Sequence, residues 1–250
     1  MDYRARVYAH YTSQKMPEAL SRTEGESLRW SQGAAHRLRG WLPESRDAVI
    51  LDLGCGPGNM LHLLRGQGYQ CVIGVDISPE QVRVASSVGF PVVNSDIMGF
   101  LGGRLGDTDC IILFDVIEHF TKDELFTFLD ACHRTLRPGG ILILQTPNAE
   151  SPWGAMHRYH DITHETCFDP ASLDHVLRVA GFGSFRTREC GPVVHGARSA
   201  VRWALWRLIA TGLAVWNLVE TGTRGSGVYS RIFVARAVKP AGGTALAEVR

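Results

Sequence analysis

Short apolar runs alternate along the middle of the chain with stretches in which apolar residues recur every three or four positions. The runs are AVILDL (48–53), CVIGV (71–75), PVV (91–93), DCIILF (109–114) and ILILQ (141–145), each ending where Gly, Asp, Asn or Pro appears. Runs of that kind predict buried strands, and the helical stretches between them predict βαβ units on a parallel sheet. Ahead of Ala48 the chain is polar and aromatic. It predicts one or two helices with Leu28, Trp30, Leu38, Trp41 and Leu42 on an apolar face, forming a cap over residues 1–47. After Asn148 the chain is loop-like and histidine-rich as far as His164. A helix is expected from Pro170 to Ala180, stopped by Gly181, and two last strands near Phe182–Arg188 and Ser230–Ala237. The Gly/Ala-rich tail, 241–250, is expected to fray.

A length of 250 residues suits one substantial core with extra elements and is short for two independent domains. Apolar residues make up 45% and charged residues 20%, which excludes a disordered chain. The formal net charge of +1 gives no global reason to expect a polyanion, so no nucleic-acid partner is expected. The six cysteines are scattered, with no C-x-x-C pair, as suits reduced thiols in a cytosol. The first residues are too polar for a secretory signal peptide. The best candidate for a spanning helix, Ala200–Val219, is interrupted by Arg202 and Arg207. A cytoplasmic location is the expectation.

Candidate chemistry begins in LDLGCGPGNMLHLL (51–64), a strand, a glycine-rich turn and a helix in succession. Gly54, Gly56 and Gly58 let the backbone turn tightly and approach a ligand, and the helix N-terminus offers N–H groups there. Asp76 ends the next strand, 20 residues beyond Gly56. A doubly wound nucleotide site places a ribose-binding carboxylate at that position. A nicotinamide dehydrogenase shares this layout, but its G-x-G-x-x-G has the third glycine one place later than the G-x-G-x-G here.

LDLGCGPG, GVDIS, NSDI, FDVIEHF and LRPGGILILQTPN, in that order between Ala48 and Asn148, resemble the motifs of class I S-adenosylmethionine-dependent methyltransferases. The resemblance implies an α/β, Rossmann-like doubly wound sheet of seven strands, the last antiparallel, within residues 48–240. It implies that Asp52 and the loop of Gly54, Cys55, Gly56 and Gly58 hold the methionine part of the cofactor. Asp76, followed by Ile77, would bind the ribose hydroxyls. Asp96 and the Ile97 backbone would face the adenine amino group, and Phe114 and Asp115 would line the methionine end.

If a helix begins just after the fourth strand, Asp115, Glu118 and His119 share one face. Methyl transfer to oxygen needs the acceptor to lose its proton, and a histidine near neutrality suits that task. His119 is the first candidate base and His164 the second, with Glu118 beside them; a histidine that only hydrogen-bonds a loop is the alternative. Asp115, Glu118, His119 and His164 also form a mixed oxygen and nitrogen set for a divalent metal such as Mg. The spacing is similar to the metal-binding helix of small-RNA 2′-O-methyltransferases and ubiquinone-pathway O-methyltransferases, which begin with Glu where this chain has Asp115.

Residues 191–227 separate the last two strands where the family usually has a tight hairpin, and so long a connection carries structure or function. ARSAVRWALWRLIATGLAVWNLVETG predicts a helix, or a pair broken at Gly212. Core packing, a dimer contact, a lid, and peripheral membrane contact through residues 198–219 all remain open for it. The run YHDITHETCFDPASLDHVLRVAGF (159–182), with a later ETG, looks like bacterial methyltransferases of cell-surface polysaccharide and glycolipid synthesis. That implies a sugar hydroxyl of a nucleotide- or lipid-linked glycan as acceptor, with His160, Asp161, Tyr8 and Tyr11 on the acceptor side. The expected reaction is in-line attack of the acceptor oxygen on the sulfonium methyl by a monomer or homodimer. The alternatives are O-methylation of a quinone or phenol, metal-dependent RNA 2′-O-methylation, and a silent cofactor-binding partner.

Overall fold

A computed structural model describes residues 3–8, 13 and 24–242 of the chain. Seven strands form one sheet in the order β3-β2-β1-β4-β5-β7-β6. They are β1 (Ile50–Leu53), β2 (Val72–Asp76), β3 (Val92–Asn94), β4 (Thr108–Phe114), β5 (Leu136–Pro147), β6 (Gly183–Glu189) and β7 (Ile232–Val238). Neighbours among β1–β5 pair in parallel, and β7 runs antiparallel to both β5 and β6. Both expectations for the sheet hold: seven strands, the last antiparallel. β5 starts at Leu136, earlier than the ILILQ run, with a register irregularity opposite Thr108–Cys110.

Side chains alternate across the sheet into two cores. Leu51, Ile111, Leu113, Leu142 and Leu144 pack on one face with Phe128 and Leu129. Ile50, Cys110, Ile112 and Ile143 pack on the other with Leu61, Leu64, Leu38 and Trp41. This period of two is why the strands read as near-continuous apolar runs: both faces are covered.

The helices are α1 (Tyr3–Tyr8), α2 (Glu24–Leu38), α3 (Asn59–Gly66), α4 (Pro79–Ala85), α5 (Ile97–Leu101), α6 (Lys122–Thr135), α7 (Gly154–His160), α8 (Pro170–Val179) and α9 (Ala197–Thr221). Local chemistry fixes their starts. Thr121 and Glu124 form a capping box ahead of α6, and Asp169 and Ser172 do the same for α8, where Pro170 pre-sets the first turn. The α8 end expected from Gly181 is observed, with Gly181 at φ 86°.

Of the two readings of the insertion the single helix holds: α9 is unbroken over 25 residues, with no break at Gly212, and extends for about 37 Å at ~1.5 Å per residue. Among the described residues no helix is long and apolar enough to cross a membrane. One expectation is corrected, in the segment after β4, where no α-helix forms at FDVIEHF. Asp115 takes a left-handed backbone (φ 55°) and a short 3-10 turn covers Ile117–His119.

Strand order reverses between β1 and β4, so the crevice at their carboxyl ends is where this topology binds ligands.

Candidate active site

β1 ends in the glycine loop, where Gly54, Gly56 and Gly58 have φ of 74°, 54° and 88°. A Cβ at Gly54 would lie 2.5 Å from Val116 Cγ2, and one at Gly56 would lie 2.8 Å from Gln81 Oε1. Glycine is required here by conformation and by space. Cys55 is buried and free, and burial pushes its thiol far up, so it is an inert packing residue. Asp76 spans the crevice floor. Its Oδ2 accepts the Gly56 N–H at 2.9 Å and its Oδ1 the Ser78 N–H at 2.8 Å. Burial still raises its pKa against those two bonds.

Beyond Asp76 the exposed Ile77 forms an apolar rim. Asp96 stands exposed after β3 and caps α5 by accepting the Gly99 N–H at 2.9 Å, with Ile97 opening the helix. Phe114, at the end of β4, is half-buried, and Trp30 of α2 meets it edge-on at 6.0 Å.

Asp52 is only 2% exposed, and among the described residues its Oδ2 has no hydrogen-bond partner. Burial, then the neighbouring Asp76 charge, pushes its pKa up to about 8. A buried carboxylate with an orphan oxygen is costly unless a cation arrives. The cationic methionine end of S-adenosylmethionine fits that demand, and the glycine cradle and Asp76 fit the rest of the molecule.

A pH dependence follows. Asp52 of the free protein is mostly protonated below pH 8, while a cationic ligand selects its ionised form. Cofactor binding therefore releases a proton, and affinity should rise about tenfold between pH 6 and pH 7. Over the same range the free protein binds more protons than the unfolded chain, so its own stability falls as pH rises. Calorimetry in buffers of different ionisation enthalpy reads the proton directly, and a pH-independent affinity without proton release would refute the assignment.

The left-handed turn at Asp115 has a local cause. Its N–H donates to the Gln145 carbonyl at 3.0 Å, and its Oδ2 accepts from Gln145 Nε2 at 2.9 Å. Held to β5 at both points with a left-handed backbone, Asp115 does not begin a helix. Asp115 is exposed as a residue, yet the protein packed around its carboxyl raises it to about 6 against the Gln145 bond and the nearby Arg37 charge. Asp115 consequently does not share a helical face with Glu118 and His119.

Glu118 instead points inward and is fully buried. Its Oε2 accepts from the Thr146 hydroxyl at 3.2 Å, while among the described residues Oε1 has no partner. Burial first, then the Asp115 charge, raises its pKa well above the carboxylate range. The Glu118 carbonyl accepts the N–H groups of Glu165 and Thr166 at 2.7 and 3.1 Å. Those bonds bring the histidine-rich loop against the turn, and the His119 and His164 rings meet edge-on at 4.8 Å.

The hydrogen bonds assign both tautomers. Thr163 donates its one hydroxyl proton to Asp161 Oδ1 at 2.6 Å. Toward His119 Nδ1 at 2.9 Å it can then only accept, as does the Thr163 carbonyl at 3.3 Å. His119 therefore carries a proton on Nδ1, and in the neutral ring Nε2 is the nitrogen with the lone pair. His164 Nδ1 donates to the His157 carbonyl at 2.9 Å, which likewise places a proton on that nitrogen. One ligand atom each from Glu118, His119 and His164 lies within 4.8 Å of the others. Asp115 is not in that group.

The remaining acceptor-side candidates divide. Tyr8 is half-buried and meets the His119 ring edge-on at 6.4 Å. Burial pushes its hydroxyl up to about 12, so it stays a proton donor. α1 is tied over the site by Arg4, which bonds Glu124 at 2.8 Å and Glu165 at 3.4 Å. Asp161 is buried and committed to Thr163, so it acts behind His119. His160 is exposed at the end of α7, outside the cluster. Tyr11 lies outside the described residues.

Thr163, Gln145, Gln81 and Arg37 are site residues that sequence reasoning misses. Arg37 has a buried Nε without a partner among the described residues. It lines a cavity of about 140 Å³ with His36, Arg207, Glu189, Trp203 and Trp206.

Residues 10–183 match the family model of the methyltransferase domain. A trans-aconitate 2-methyltransferase of Azoarcus sp. (strain BH72) is 35% identical over 124 residues, 48% of this chain and 47% of that protein. A ubiquinone biosynthesis O-methyltransferase of Xanthomonas oryzae pv. oryzae is 32% identical over 107 residues, 40% of this chain and 44% of that protein. The chain thus spans under half the length of these curated relatives.

Among solved structures, a SAM-dependent methyltransferase from Archaeoglobus fulgidus superposes with a TM-score of 0.63 at 21% identity, covering 95% of this chain and all of that one. The N-methyltransferase NodS from Bradyrhizobium japonicum, in complex with S-adenosylhomocysteine, gives 0.59 at 16% identity, covering 96% of this chain and 100% of that one. These two share the fold. With the cradle, the Asp52–Asp76 pair and the family match together, the chain belongs to the methyltransferase-domain family and has the class I fold of S-adenosylmethionine-dependent methyltransferases.

Proposed function

We propose that the acceptor atom is a hydroxyl oxygen and that His119 Nε2 takes its proton. The observation that carries this reading is the Asp161–Thr163–His119 chain, which accepts the Nδ1 proton in a hydrogen bond and so leaves Nε2 to serve as the basic nitrogen of the neutral ring. S-adenosylmethionine supplies an activated methyl group when bound, so the protein's tasks are to orient the oxygen, remove its proton and exclude water. Tyr8 and α1 cover His119, Asp115 borders the methionine end, and Glu118 backs the base from below. Similarity to the ubiquinone O-methyltransferase supports oxygen over nitrogen.

For the acceptor we favour a sugar hydroxyl of a nucleotide- or lipid-linked glycan, as made for cell-surface polysaccharide. Such acceptors carry a phosphate that quinols and simple phenols lack. The cavity lined by Arg37 and Arg207, with Glu189 also on its wall, offers it two cationic partners. A labelled-methyl transfer screen across nucleotide sugars, glycolipids and phenols, with mass spectrometry of the product, tests this. Methylation of sugar hydroxyls is expected; transfer to phenols alone would replace the glycan with a quinone-type acceptor.

The orphan Glu118 Oε1 favours a second reading, in which Glu118, His119 and His164 hold a divalent cation that fixes the acceptor oxygen. Two imidazoles and one carboxylate suit Mn, Fe or Zn better than Mg. Metal analysis separates the two readings. With His119 as base, the protein carries no stoichiometric metal and keeps full turnover after chelation. One bound equivalent, lost in Glu118→Gln, would transfer His119 to the ligand role.

A further inference from the structure

Helix α9 rests on the body through a narrow strip. Of its residues only Ser199 and Ala210 are buried, and most of its large apolar side chains face solvent. The exposed ones are not scattered. Val201, Leu208 and Val215 recur every seven residues, and Leu205, Gly212 and Val219 recur every seven, four positions later. Together they make a continuous seam of period 3.5, the pattern that seats one helix against another. Leu208 at its middle is 71% exposed and Val219 at its end 82%.

Gly212 lies at the centre of that seam. An exposed glycine inside a helix costs about 1 kcal/mol relative to alanine. Nothing in the fold demands it, because a Cβ there would meet no atom within 4 Å. A small residue in mid-seam does have a use where a second helix backbone crosses closely. A lipid surface would need neither the glycine nor the seven-residue spacing.

Charge selects the direction of pairing. Arg202 and Glu220 are both exposed and lie 18 residues apart, five helical turns, so they share one flank of the seam. In an antiparallel pair centred on Gly212, Leu205 meets Val219 of a second copy and Leu208 meets its Trp216. Arg202 then falls within about 3 Å, along the axis, of the second copy's Glu220. The two-fold axis repeats each contact, so both ion pairs form at once. A parallel pair would instead oppose arginine to arginine.

We propose that α9 is a self-association surface through which two copies of this chain pair antiparallel across Gly212. The full chain at tens of micromolar should sediment at twice its 27.5 kDa mass. Leu208→Glu should reduce this to the single-chain mass with unchanged circular dichroism and cofactor affinity, since the side chain it replaces is exposed. Glu220→Arg should weaken the dimer at least tenfold, and the Arg202→Glu/Glu220→Arg exchange should restore it. A wild-type chain of single mass, a dimer indifferent to Leu208→Glu, or an exchange that fails to rescue would overturn the proposal. So would a monomer that co-sediments with phosphatidylglycerol vesicles and loses that binding in Leu208→Glu, which would assign the seam to a membrane.

Discussion

His119→Ala is expected to lower kcat by roughly 10²- to 10⁴-fold, the span that a positioned general base contributes, while the cofactor dissociation constant stays within about twofold. The separation of the two effects is geometric. The groups assigned to the cofactor by resemblance are the loop after β1, Asp76 at the end of β2 and Asp96 beyond β3, whereas His119 sits past β4 and is held by Thr163. Removing the imidazole leaves the Thr163 hydroxyl bonded to Asp161, so no new buried donor is stranded. Thr163→Val tests the tautomer argument. It deletes the hydroxyl, leaves the Thr163 carbonyl 3.3 Å from Nδ1, and should cost about tenfold in kcat with little change in KM. Full turnover in His119→Ala with normal cofactor binding would remove the base assignment and with it the main structural reason for preferring oxygen.

The sheet and the glycine-rich turn are legible in the sequence because each follows from local rules. Strands covered on both faces read as unbroken apolar runs, and a turn that needs positive φ reads as glycine. The FDVIEHF segment is less legible because a partner 30 positions away decides it. Its apolar and polar spacing suits a helix, but Gln145 holds Asp115 by backbone and side chain and forces the left-handed turn. The consequence is chemical. Glu118 is turned into the core while His119 is only half-buried, so residues expected on one face separate into a buried acid and a partly exposed imidazole.

Thr163 is illegible for a related reason. A threonine in a loop carries no signal until the fold sets a histidine on one side and an aspartate on the other. α9 marks another limit: the spacing of its valines and leucines is visible from the start, but that they face outward is known only from the packed structure.

Gly54→Ala should be the most damaging single change in the cofactor site, although it adds one methyl group. Gly54 has φ 74°, a region that costs a residue with a Cβ about 1–2 kcal/mol. The new Cβ would also stand 2.5 Å from Val116 Cγ2. Val116 cannot yield easily, because it is β-branched, 8% exposed and packed in the core beside Ile117. Overpacking of that kind costs a further ~1–3 kcal/mol, so a total loss of about 2–5 kcal/mol is expected in denaturant unfolding. The backbone relieves the clash most cheaply by moving the loop, which carries Gly56 away from Asp76 and opens their 2.9 Å bond. Cofactor affinity should accordingly fall by two orders of magnitude or about 2.7 kcal/mol, more than stability alone explains. Adding Val116→Ala separates the two causes: it removes the clash but not the positive φ. The double variant should therefore recover most of the cofactor affinity while keeping a deficit of about 1–2 kcal/mol in stability. If Gly54→Ala binds cofactor like the wild type, the loop is not the cradle that its geometry describes.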